Sequence, residues 1–172
     1  MILGIDIDNT ITDTNETVRA YLKQEYPLYE DYKLLPKEEY ELFLKKNLKA
    51  MRKEYKLKKG VKEAWTYFKE HNFKIIIITA RNNEFDDKYI EDTIKFLRVN
   101  GLFYDKIYFD EENKGATASK EKVDLFIDDK ETNLDNVALY NISCVCLGKS
   151  CKYKSFTNWY ELLEYIKEEP HG

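Results

Sequence analysis

The sequence predicts an α/β fold, a doubly wound parallel sheet with a small helical insertion after its first strand. Three observations predict it. Ile2 to Ile7 is a short apolar run ending in carboxylates, as suits a buried parallel strand, and Lys74 to Thr79 is an isoleucine-rich run without polar alternation, as in strands covered on both faces. Helix-period segments separate most of the strand-like runs, so that strand and helix alternate along the chain. Residues 15–58 hold two helix-period segments with no strand between them, which sets this stretch apart as an insertion.

Taken in order, Ile2 to Ile7 reads as a buried strand whose C-terminal end opens into Asp6 and Asp8. From Asn15, Val18, Tyr21 and Leu22 recur at helix spacing until Pro27 and the tyrosine-rich stretch to Leu35 interrupt them. Pro36, at a position tolerated in a first turn, opens a second helix reaching to about Tyr55. After Gly60, Val61, Ala64, Trp65 and Phe68 form the apolar stripe of a helix ending near His71. Lys74 to Thr79 is the next strand, and Asp87 to Asn100 a helix with Gly101 suited to its C-terminal cap. Strands follow at Ile107–Phe109, Val123–Ile127 and Ile142–Leu147, with a short helix after Lys114 and others at Asn133–Tyr140 and Trp159–Lys167. The core thus comprises residues 1–14 and 59–172, and the insertion residues 15–58.

The chain has 172 residues, enough for one domain with a substantial core. The longest apolar runs fall far short of the roughly 20 residues that span a bilayer, so neither a signal peptide nor a membrane anchor is expected. Cys144, Cys146 and Cys151 are odd in number and have no nearby histidine to complete a zinc site. They read as reduced thiols of a cytoplasmic protein, two of them alternating along one strand as small apolar residues. A net charge of −4 argues against a nucleic-acid polymer as partner. The insertion differs in sign from the rest: residues 14–59 hold twelve Lys or Arg against eight Asp or Glu. The sequence leaves the oligomeric state open.

The chemistry concentrates at strand ends, where ligands of parallel sheets bind. Asp6 and Asp8 follow the first strand, Thr79 and Arg81 the second, and Asp128 and Asp129 the strand at Val123–Ile127, with Lys114, Lys120 and Lys122 shortly before it. An isolated Asp-x-Asp is usually a turn or a cap, but these features converge on one sheet edge. Four gathered carboxylates repel one another strongly unless a cation intervenes, and oxygen ligands favour Mg2+. With such an ion, Asp6 suits the role of nucleophile on phosphorus and Asp8 that of acid and base. The Thr79 hydroxyl, nearby backbone N–H groups and a lysine would hold the phosphoryl oxygens, with Asn9, Ala80 and Arg81 assigned to the same group.

Three segments resemble the motifs of the haloacid dehalogenase superfamily of aspartate-nucleophile phosphatases: Gly4-Ile-Asp-Ile-Asp-Asn-Thr-Ile-Thr-Asp13, Ile77-Ile-Thr-Ala-Arg81 and Asp124-Leu-Phe-Ile-Asp-Asp-Lys130. The resemblance implies a Rossmann-like core with a helical cap at residues 15–58. It implies phosphate rather than carbon–halogen chemistry, because Asp8 follows Asp6 by two. It further implies that Asp6, the Asp8 carbonyl and Asp128 ligand Mg2+, with Asp129 holding a metal-bound water. The family's single lysine is Lys114 or Lys120, with Lys114 in the better register. The position of the insertion and the Ile-Asp-Asp ending are similar to the deoxyribonucleotidase-like branch, which implies a small phosphorylated substrate such as a nucleoside monophosphate. Six of the fourteen tyrosines lie in the insertion, Tyr21, Tyr26, Tyr29, Tyr32, Tyr40 and Tyr55. They either stack on a base or pack the insertion's helices. A phosphatase of a sugar phosphate and a metal- or phosphate-binding regulatory module are the competing readings.

Overall fold

The computed structural model describes residues 1–148 and 152–168. Six strands form one parallel sheet: β1 (Ile2–Ile5), β2 (Lys74–Ile78), β3 (Lys106–Tyr108), β4 (Leu125–Asp128), β5 (Ser143–Leu147) and β6 (Lys154–Phe156). Their order is β3-β2-β1-β4-β5-β6, and every neighbouring pair is parallel. The chain therefore builds outward from β1 to one side, then returns to the other side of β1 with β4. Strand order reverses between β1 and β4, and a crevice opens at their carboxyl ends.

Both faces of the sheet are covered, and the strand side chains divide between them with the two-residue period of an extended chain. Leu3, Ile5, Ile75, Ile77, Leu125, Ile127, Val145 and Leu147 pack on one face. They meet the buried stripes of α3 (Val61–Glu70), α4 (Tyr89–Val99) and α7 (Trp159–Glu168), with Trp65 and Trp159 at the centre, their rings 5.5 Å apart. Ile76, Ile78, Phe126 and Cys146 take the other face, against Ala118 of α5 (Lys114–Lys120) and Leu134 and Val137 of α6 (Glu131–Ala138). Cys144 packs beside that cluster, so the two cysteines share a strand face; Cys151 lies outside the described residues. Gly60 opens α3 with φ of 88°, a left-handed conformation that a side chain would strain.

Between β1 and α3, where residues 15–58 are expected as an insertion, the chain forms α1 (Thr14–Glu25), a 3-10 turn (Tyr32–Leu34) and α2 (Lys37–Met51). α2 ends four residues before the expected Tyr55: Lys53 N and Glu54 N bond the carbonyls of Ala50 and Met51, a tightened last turn that breaks the α-helical ladder. Val18, Leu22, Leu35, Phe43, Leu48, Met51 and Tyr55 form a separate apolar cluster, completed from outside the insertion by Phe85 and Tyr89. β1 likewise ends before the expected Ile7. The Ile7 carbonyl accepts from the N–H groups of Thr10, Ile11 and Thr12, so the chain turns out of the sheet at that point, with Asn9 at φ of 58°. No helix among the described residues is long and apolar enough to cross a membrane.

Candidate active site

The crevice between β1 and β4 gathers the charged residues. Asp6 follows β1 directly and its N–H still bonds Ile127 O of β4 at 3.0 Å. Asp128 closes β4, and Lys114 opens α5 beneath them. The Lys114 ammonium donates to Asp6 Oδ1 at 2.5 Å and to Asp128 Oδ2 at 2.7 Å, with all three side chains buried. α5 is fixed by the Asn113 side chain, which caps Ala116 N, and by Gly115 N donating to Asn136 of α6 at 2.7 Å. Lys120 lies exposed at the far end of the same helix, so of the two lysines Lys114 is the one brought to the carboxylates. Asp128 also accepts from Lys130 N and from the Asn133 amide, which donates to both oxygens at 3.0 and 3.2 Å.

Carboxylate oxygens of Asp6, Asp128 and Asp129 all lie within 4.8 Å of one another. One ammonium does not balance them. Burial, with Asp128 and Asp8 nearby, raises Asp6 well above the usual carboxylate range despite Lys114. Burial, Asp128 and Asp8 likewise push Asp129 up to about 7, against the opposing pull of Lys114 and Lys58. Lys114 itself is held above the ordinary lysine range, because the two carboxylates outweigh its desolvation. Three close oxygen donors, two of them raised for want of positive charge, fit a hard divalent ion such as Mg2+.

Asp8 stands in a second group of side chains. Arg81 grips it with a two-pronged fork, Nε to Oδ2 at 2.9 Å and NH2 to Oδ1 at 2.6 Å, and the Thr14 hydroxyl donates to Oδ1 at 2.6 Å. Burial alone would raise Asp8, but the Arg81 charge and these hydrogen bonds outweigh it and hold the carboxyl below its ordinary value. The remaining Arg81 nitrogen, NH1, donates to Thr93 of α4 at 3.0 Å. Thr79 is fully buried after β2, its hydroxyl accepting from Arg81 N at 3.2 Å, while Ala80 is exposed beside it. The Asn9 side-chain oxygen accepts from Asn15 N at 2.7 Å and so ties the loop to the start of α1.

The structure thus brings Asp6, Asp128, Asp129 and Lys114 together, sets Asp8 and Arg81 as a pair beside them, and leaves the Asn9 side chain on a helix backbone. Sequence reasoning missed Asn133, Thr14 and Thr93. Each is an uncharged residue on a helix surface, and only the fold shows that it faces a carboxylate or guanidinium. It also missed Tyr89, and it named Tyr55 only as a base-stacking or packing residue; their rings lie 4.9 and 5.3 Å from the Arg81 guanidinium carbon. Most insertion tyrosines engage one another or Phe43: Tyr26 meets Tyr29 and Phe43 edge-on, and Tyr32 stacks on Tyr40 at 5.1 Å.

No protein-family model and no curated protein matches the chain. Solved structures do match it along nearly its whole length. A predicted phosphatase from Clostridium acetobutylicum superposes with a TM-score of 0.70 at 16% identity, covering 98% of both chains. A HAD-superfamily hydrolase from Ehrlichia chaffeensis gives 0.62 at 17%, covering 97% of this chain and 96% of that one. CbbY from Rhodobacter sphaeroides, solved with xylulose-(1,5)bisphosphate, gives 0.64 at 11%, covering 94% and 95%. At such identities the likeness is one of fold: the Rossmann-like α/β architecture of haloacid dehalogenase structures, here with six parallel strands.

Proposed function

We propose that this chain is a Mg2+-dependent phosphomonoester hydrolase of the haloacid dehalogenase type, with Asp6 as nucleophile. The observation that carries the reading is the buried contact of Lys114 with both Asp6 and Asp128, beside Asp129, at the reversal point of the sheet. Asp6, Asp128, Asp129 and the Asp8 carbonyl would hold Mg2+, which when bound neutralises the gathered negative charge and polarises a phosphoryl oxygen.

Asp6 Oδ attacks phosphorus as the bond to the leaving oxygen breaks, giving an aspartyl-phosphate and an alcohol. Lys114 and the Thr79 hydroxyl hold the non-bridging oxygens, where the transition-state charge is spread. The proton for the leaving oxygen passes through Asp8. Arg81 favours the ionised form of Asp8, so that proton arrives with the substrate as the phosphomonoester monoanion. In the second half Asp8 takes a proton from water, which attacks phosphorus and releases phosphate from Asp6.

The substrate class is a small phosphorylated metabolite. Likeness to a fold that holds xylulose-(1,5)bisphosphate in CbbY supports a sugar phosphate. The tyrosines of the insertion support a nucleoside monophosphate less well, because their rings already pack on one another.

The test is release of p-nitrophenol from p-nitrophenyl phosphate, with Mg2+ and with chelator, by the wild type and Asp6→Asn. The wild type should turn over only with Mg2+, and Asp6→Asn should fold normally yet lose activity by about 10⁴-fold or more. No Mg2+-dependent release by the wild type identifies a binding module instead. A panel of sugar phosphates and nucleoside monophosphates then separates the two substrate readings by kcat/KM.

A further inference from the structure

Arg81 is enclosed on every side. Its side chain is 3% exposed. Two nitrogens are spent on one carboxylate, that of Asp8, and the third on Thr93. The NH2 group also approaches the Thr12 hydroxyl at 3.5 Å, and Thr12 bonds Thr14 at 2.8 Å, so the two hydroxyls line the same pair. A planar fork aimed at both oxygens of one carboxylate fixes the plane of that carboxylate, which a lysine in its place does not do.

The rings beside the guanidinium come from different parts of the chain. Tyr55 belongs to the insertion, at the end of the segment that follows α2, and Tyr89 opens α4 of the core. The two rings flank the guanidinium from either side of the seam. Arg81 therefore sits where insertion and core meet, with Asp8 on its inner edge. Tyr55 reaches it from the insertion's side of that contact, in the same apolar cluster as Tyr89.

We propose that Arg81 and Tyr55 are positioning residues for Asp8: the seated insertion places the Tyr55 ring on Arg81, and Arg81 fixes the carboxylate for proton transfer instead of binding phosphate. The proposal rests on the hydrolase reading and adds a control to it. Proton transfer at the leaving oxygen is then efficient only with the insertion in place, when water is kept from the phosphoryl group.

Proton transfer matters most for poor leaving groups, so leaving-group dependence separates this role from a merely structural one. Arg81→Lys should lower kcat/KM for an alkyl monoester such as glycerol 3-phosphate by about 10²-fold, but for p-nitrophenyl phosphate by less than about tenfold. Tyr55→Leu should act in the same direction, and Tyr55→Phe, which keeps the ring, should restore most of the loss. An equal loss on both substrates, or a change confined to KM as removal of a phosphate ligand gives, overturns the proposal. Crystal structures of Arg81→Lys and Tyr55→Leu read the geometry directly. The Asp8 carboxylate should rotate from its present plane in both, and an unmoved carboxylate in both overturns the proposal. If the wild type shows no Mg2+-dependent turnover, the hydrolase reading fails on its own account and the crystallographic comparison still decides the positioning.

Discussion

Gly115 sits next to Lys114 where α5 crosses α6. A Cβ built on it would lie 2.5 Å from the Asn136 carbonyl and 2.6 Å from the Tyr140 ring, and Gly115 N donates to the Asn136 side chain. The backbone at this point has no room to give without moving α5. Gly115→Ala should therefore cost about 1–3 kcal/mol, read as a lower urea midpoint with unchanged m-value. It should also weaken turnover, since Lys114 moves with the helix. At this scale the sequence showed residue types and strand-end positions but not pairings. The strand-end positions of Asp6, Thr79 and Asp128 were legible because each closes an apolar run, and such runs place polar residues at a sheet edge. That Arg81 meets Asp8 rather than open solvent was not legible. The contact spans 73 positions and depends on where α4 delivers Thr93 and Tyr89.

Among the elements, α2 is the one whose end does most. Arg52, just past it, has a side chain only 4% exposed and pairs with Asp86 and Asp92 on the core side of the seam. Asp86 is itself 6% exposed, so removing the arginine leaves a buried carboxylate without a cation. Arg52→Leu should destabilise the protein by about 3–5 kcal/mol, and Arg52→Leu combined with Asp86→Leu should recover part of that in a double-mutant cycle. Equal loss in the single and double variants would show that packing, not charge, holds the insertion down. The same scale shows why some elements escaped notice. β6, Lys154–Phe156, has three residues with two exposed, and no apolar run announces an edge strand of that length. β2 and β4, buried almost throughout, carry the unbroken apolar run that central parallel strands require.

For the molecule as a whole, parallel topology was legible from the alternation of strand and helix, but strand order was not: right-handed crossovers permit β4 on either side of the β1–β2 pair. Its place beside β1 concentrates Asp6, Asp128 and Asp129, and this makes stability depend on pH and metal together. In the metal-free protein Asp129 is raised to about 7 and Asp6 is raised as well, whereas an unfolded aspartate titrates near 3.9. Between about pH 4 and pH 7 the folded protein therefore holds protons that the unfolded chain has released, and its stability falls as pH climbs through that window. Asp129→Asn should flatten this slope. Mg2+ bound as proposed would compete with those same protons and hold only the assembled cluster, so its stabilising effect should grow as they leave. Melting temperatures with and without millimolar Mg2+ should thus differ more at pH 8 than at pH 5. An equal shift at both would place the ion away from Asp6 and Asp129, because binding that displaces no proton from them gains nothing from their release.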